Sequence, residues 1–141
     1  MHRSDKYLYE PVAYLQNFDF DEEGNLINQQ LLGDKLVIVM IQADFCGHCS
    51  IAKPDFQDFA DAIAKSEYSN KIIPATIQGD GKEEGEPELR NRLATIFKEF
   101  RGFPSYALMY NGNFIKMHEG GRDSNSIARA SIQTYHELTR P

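Results

Sequence analysis

The 141-residue chain contains no tryptophan and only two cysteines. Two cysteines do not make a disulfide scaffold, so the fold has to rest on a hydrophobic core. Basic residues are outnumbered, 15 Lys and Arg against 21 Asp and Glu for a formal net charge of −6. No stretch gathers the Lys and Arg cluster that phosphate neutralisation requires, so nucleic acid and anionic membrane surfaces are not expected partners. Long apolar runs are missing too. The strongest, Leu36 to Ile41, falls far short of the roughly 20 residues that cross a bilayer. Met1 to Pro11 lacks the apolar centre of a signal peptide, and the C-terminus has no retention signal for the endoplasmic reticulum, so a soluble cytoplasmic protein is expected. No internal repeat or low-complexity linker divides the sequence. The chain is 41% hydrophobic and 11% aromatic, enough to bury a core. It reads as one domain over residues 1–141, with 1–34 an N-terminal extension holding a first strand and a loop.

Strand and helix patterns alternate along it. Val12 to Leu15 reads as a short strand, and Asn17 to Asn25 as a loop or short capped helix. Leu36 to Ile41 is continuous and rich in β-branched residues, as in a strand buried on both faces. Ala52, Phe56, Phe59 and Ile63 recur at helical spacing, predicting a helix from about Cys46 to Lys65 with a kink at Pro54. Ile72 to Ile77 reads as the next strand. Leu89, Leu93, Ile96 and Phe100 predict a helix from about Pro87 to Glu99. Ser105 to Tyr110 and Asn113 to His118, joined by Asn111-Gly112, read as an antiparallel hairpin with a type I′ turn. Asp123 or Ser124 caps a final helix with Ile127, Ala128, Ile132, Tyr135 and Leu138 inward. The fold class is therefore α/β, a parallel βαβ unit plus an antiparallel C-terminal hairpin in one mixed sheet flanked by helices.

Both cysteines sit in Cys46-Gly47-His48-Cys49, at a predicted helix start. Such a pair points to redox chemistry or to half of a zinc site. Zinc needs four ligands, and His2, His118 and His136 are scattered, so redox chemistry is the favoured reading and no metal is expected.

The sequence resembles the thioredoxin-fold proteins, and Cys-Gly-His-Cys is the active-site tetrapeptide typical of protein disulfide isomerases. Pro54 stands five residues after the second cysteine, where the family has a helix-kinking proline. Arg101-Gly102-Phe103-Pro104-Ser105 resembles the segment carrying the family's cis-proline. Asn111-Gly112 and Glu119-Gly120-Gly121-Arg122 fall where the family places its hairpin turn and its approach to the last helix. The resemblance implies a thiol–disulfide oxidoreductase acting on thiols and disulfides of protein substrates. Its redox group would be the Cys46–Cys49 couple itself, with no other cofactor. Glutathione or a thiol reductase would recycle it, and it would work as a monomer. Cys46 is the implied nucleophile, because the amide N–H groups and dipole of a helix N-terminus stabilise a thiolate. Cys49 is the implied resolving cysteine. His48 adds a group that can carry positive charge beside the thiolate, and Gly47 completes the turn. Phe103 and cis-Pro104 would receive an extended substrate segment through main-chain pairing.

Three positions depart from the pattern. Phe45 replaces the usual tryptophan before the first cysteine, keeping an aromatic platform without its N–H donor. The family's buried carboxylate falls on Met40, and the lysine that accompanies it falls on Thr76. Without that carboxylate a slow resolving step is expected. Arg122 matches a family arginine proposed to favour the resolving thiolate, or else it makes a surface ion pair. These losses favour an alternative function, a redox-inactive module holding an extended partner over Phe45 and Phe103. The acidic run Gly79 to Glu88 reads as a solvated loop. Tyr7, Tyr9, Tyr14 and Phe18 are expected to pack against the sheet edge, and Met109 and Met117 to fill the core.

Overall fold

A computed structural model describes residues 7–140; His2 and the rest of the opening six residues lie outside it. The elements are β1 (Ala13–Tyr14), β2 (Leu36–Gln42), α1 (Gly47–Ala64), β3 (Ile72–Gln78), α2 (Glu86–Ile96), β4 (Ser105–Tyr110), β5 (Asn113–Met117) and α3 (Ser124–Thr139), with short 3-10 turns at Asn17–Asp19 and Gln29–Leu31. The five strands form one sheet in the order β1-β3-β2-β4-β5. β1, β3 and β2 run parallel, while β4 and β5 are antiparallel to their neighbours. This is the mixed sheet expected from the pattern.

Every residue of β2 is buried, because the strand lies centrally with helices over both faces. Leu36, Ile38 and Met40 meet Ala52, Phe56, Phe59, Ala60 and Ile63 of α1 and Ile127 and Tyr135 of α3. Val37, Val39 and Ile41 meet Leu89, Leu93 and Ile96 of α2 together with Leu15, Phe20, Leu26 and Leu31 from the N-terminal segment. The period of two along the strand thus feeds two cores. At the hairpin, Asn111 and Gly112 have φ of 47° and 83°, the paired positive values a type I′ turn demands. A β-carbon at Gly112 would press on the Leu26 carbonyl, so glycine is needed there twice over. A bulge interrupts the β4–β5 register between Leu108 and Met109.

Several boundaries differ from the sequence reading. α2 stops at Ile96, since Phe97 turns to an extended conformation and buries its ring in the α2-side core. Phe100 therefore lies beyond the helix and meets the Phe103 ring edge-to-face at 5.5 Å. Phe18 is 78% exposed rather than packed on the sheet edge. The inward seat of its turn goes to Asp19, which accepts from the Gln16 N–H at 2.7 Å and the Asn28 side chain at 3.0 Å. Tyr7 is exposed as well, whereas Tyr14 packs on the α1-side core. Met109 is fully buried and Met117 packs against the α2-side core.

Candidate active site at the C-terminal end of the parallel strands

β2 ends at Gln42, and the chain turns through Ala43, Asp44 and Phe45 into α1. Cys46 is the N-cap of that helix. Its backbone is extended (φ −93°, ψ 111°), and its Sγ accepts the Cys49 N–H at 3.1 Å. The sulfur thus occupies the place a Ser or Asp oxygen takes at an ordinary cap, over the otherwise unpartnered amides of the first turn. Cys46 is 9% exposed and Cys49 is fully buried, both as free thiols, in a small cluster with Ala43 and Phe103. Burial is the main reason the Cys49 thiol is pushed up to about 12; its hydrogen bond with Cys46 adds to this, while Lys53 acts in the opposite sense.

The other residues singled out from the sequence gather around this pair to different degrees. Gly47 and His48 are exposed at the helix tip. Pro54 lies inside α1 on its solvent side. Phe45 is 66% exposed and meets the Phe103 ring edge-to-face at 5.7 Å. The Phe103–Pro104 peptide bond is cis, and Pro104 is buried. The Phe103 backbone takes part in no backbone hydrogen bond among the described residues. Arg122 is exposed and stands across a cleft of about 290 Å³ from Pro104, with Tyr106 and His118 also lining it. Met40 and Thr76 face each other in register, both fully buried, with the Thr76 hydroxyl donating to the Met40 carbonyl at 2.7 Å. Neither offers an ionisable group. Among the described residues no three His, Cys, Asp or Glu side chains gather as a metal site would require.

Four contributors escaped the sequence reading. Asp80, taken there as part of a solvated acidic loop, accepts from the backbone N–H groups of Asp44 at 3.0 Å and Phe45 at 3.3 Å. Its other oxygen accepts from Gln78, which in turn accepts from Gln42. Burial works to raise the Asp80 carboxyl, but these hydrogen bonds outweigh it and hold the acid below its ordinary value. Asp80 thus fixes the loop that presents Cys46. Gly79 is the second: a β-carbon there would collide with the Phe103 ring, so glycine is what lets that ring seat. Third is Lys53, only 2% exposed, whose Nζ lies 3.5 Å from Asp44. The fourth is Tyr106, a buried tyrosine following the cis-proline by two positions. Its hydroxyl finds no hydrogen-bond partner among the described residues. Burial drives its phenol pKa up, against the Arg122 charge. Lys53 had a visible signal, since it follows Cys49 by four residues on a helix face that carries no other charge and, apart from Gln57, is apolar. Asp80 and Gly79 had none, because their partners lie more than twenty residues away in the chain.

The thioredoxin family profile matches residues 12–133. A thioredoxin-like protein of Invertebrate iridescent virus 6 is 48% identical over 130 residues, covering 86% of this chain and 93% of that protein. Protein disulfide-isomerase of Datisca glomerata is 29% identical over 92 residues, 64% of this chain but 16% of that larger protein. Among solved structures, the thioredoxin of Malassezia sympodialis superposes with a TM-score of 0.61 at 20% identity, over 95% of this chain and 99% of that one. The first thioredoxin domain of mouse protein disulfide-isomerase A4 gives 0.64 at 18% identity, over 96% and 83%. With a fold shared across the full sheet and its helices and a relative nearly half identical along almost its whole length, the chain belongs to the thioredoxin family.

Proposed function

We propose that this domain exchanges disulfides with protein substrates through Cys46 and Cys49. The observation that carries the reading is the Cys46 sulfur seated on the Cys49 N–H at the N-cap of α1, where an anion is favoured by the amides and the dipole. Cys46 thiolate attacks one sulfur of a substrate disulfide, forming a mixed disulfide and expelling the other sulfur as thiolate. Cys49 thiolate then attacks Cys46. The Cys46–Cys49 bond forms, the mixed disulfide breaks, and the substrate leaves reduced after taking up a proton. Run backwards, the same steps oxidise a substrate dithiol.

An extended substrate segment pairs with the free backbone of Phe103 beside cis-Pro104, over the Phe45–Phe103 ring pair. His48 at the helix tip tunes the couple, and Arg122 borders the cleft alongside. The pair needs no further cofactor or metal. It acts as a monomer in the cytoplasm, where glutathione or a thiol reductase returns it to the dithiol. No helix among the described residues is long and apolar enough to cross a membrane.

Insulin reduction separates exchange from mere binding. The wild type should precipitate the insulin B chain in the presence of a dithiol reductant, and Cys46→Ser should not. Equal rates for the two would leave the groove over Phe45 and Phe103 as a docking surface without turnover.

A further inference from the structure

Behind the two sulfurs sits a charge that this exchange reaction leaves unused. Lys53 follows Cys49 by four residues on α1, so the two side chains share one helix face. Both are shut away from solvent. The other buried residues of α1 are Ala52, Phe56, Phe59, Ala60 and Ile63 with one neutral polar side chain, Gln57, so a charge there is out of character. Replacing a buried ion with an apolar side chain of like volume is often neutral or stabilising, so stability alone gives weak grounds for a lysine at this position. Its Nζ reaches Asp44 at 3.5 Å. Asp44 directly follows Ala43, which packs on both cysteines, and precedes Cys46 by two residues. The lysine stem therefore runs from the helix face of Cys49 to the loop that delivers Cys46, in a region where Met40 and Thr76 provide no ionisable group.

We propose that Lys53 is a positioning residue for the resolving step. Its ammonium, anchored by Asp44, stabilises the Cys49 thiolate that attacks the mixed disulfide, from a different element than the missing strand carboxylate. The inference rests on the exchange reaction assigned to Cys46 and Cys49. In the step concerned the Cys49 thiol loses its proton to solvent, and its thiolate forms the bond to Cys46. The bond from Cys46 to the substrate breaks, and the departing substrate thiolate is protonated. Among the described residues the other charged or titratable groups around this pocket are Cys46, Asp44 with Tyr14 facing it, Tyr106, and Arg122 and Asp55 beside Tyr106. Cys46 opposes ionisation of Cys49 only while it is itself a free thiol or thiolate. Once it is bonded to substrate, burial is what Lys53 has to counter.

The chromogenic disulfide 5,5′-dithiobis(2-nitrobenzoate) tests this in two phases. Attack by Cys46 releases one thionitrobenzoate, and resolution by Cys49 releases a second. In Lys53→Met the pH profile of the second phase should move upward by about one pH unit, a roughly tenfold slower release at fixed pH. Lys53→Arg should restore the wild-type profile. Asp44→Asn leaves the cation in place and should not raise the profile. Lys53→Gln serves for charge removal if Lys53→Met does not fold. An unmoved profile on charge removal overturns the proposal. So does an upward shift in Asp44→Asn as large as that in Lys53→Met, since the ion pair would then be a structural clasp. Absence of the first phase in the wild type would instead overturn the exchange reaction itself.

Discussion

The two ends of the central strand manage polar groups in opposite ways. Before β2, Asp34 accepts from the Tyr110 hydroxyl at 2.9 Å and the Tyr135 hydroxyl at 2.7 Å, while Lys71 donates to Tyr135 at 3.2 Å and lies 3.7 Å from Asp34. Each of these groups has a partner. Past the other end, a strand length of roughly 20 Å away, the Tyr106 hydroxyl and the Gln42 side-chain oxygen are buried with none among the described residues, although Lys53, buried there too, pairs with Asp44. Buried polar groups are nearly always satisfied, so exceptions call for an explanation. Among the described residues two of the three such atoms, on Gln42 and Tyr106, stand at the end of the sheet that carries the cysteines; the third is the Ser131 hydroxyl of α3. The contrast teaches that the far end pairs its polar groups, while the cysteine end, although Asp80 and the Lys53–Asp44 ion pair tie its loop, leaves two buried polar atoms without partners among the described residues.

Removing the packing should have the largest effect. Phe56 is fully buried and lies against Phe59 and Tyr106 at 5.5 and 5.8 Å. Phe56→Ala should cost about 3 to 5 kcal/mol in urea unfolding, and a loss under 1 kcal/mol would mean that polar contacts carry this end after all. Tyr106→Phe should do the opposite. Deleting an unpaired buried hydroxyl removes a desolvation penalty, so stability should rise by up to about 1 kcal/mol; a clear loss would reveal a partner for that group and break the contrast. The smallest effect belongs to the far end. Hydrogen bonds from Tyr135 and Tyr110 lead in holding the Asp34 carboxyl below its ordinary value of 3.8. A depressed acid stabilises the fold when ionised. Its contribution is full above the ordinary value and fades as pH falls through the depressed one. The difference in melting temperature between wild type and Asp34→Asn should therefore be steady near neutrality and shrink below about pH 4. A difference that grows with acid would refute the assignment.

The sequence made this contrast only half visible. β2, α1 and the hairpin were legible because their signals are local: an unbroken β-branched run, a 3.6-residue apolar stripe, and an Asn-Gly pair. The sulfur cap was legible for the same reason, since Cys46, Gly47, His48 and Cys49 are contiguous. Asp80 was not, because a carboxylate in an acidic loop looks alike whether solvated or holding two amides 36 and 35 positions away. Phe18 misled for a related reason. Its hydrophobicity pointed inward, but the tight turn gave the interior to Asp19 and its hydrogen bonds. Met40 opposite Thr76 was read correctly, because strand register follows from the buried runs on either side.

The margins of the sheet bear on how a guest chain would be received. β1 offers only two paired residues, and β5 is broken by a bulge and carries Lys116 outward, features that discourage another polypeptide from zipping onto a lateral strand. A visiting segment is thereby denied the obvious berths, and the half-buried main chain at Phe103, unpaired with other backbone among the described residues, is the berth that the proposed exchange would use.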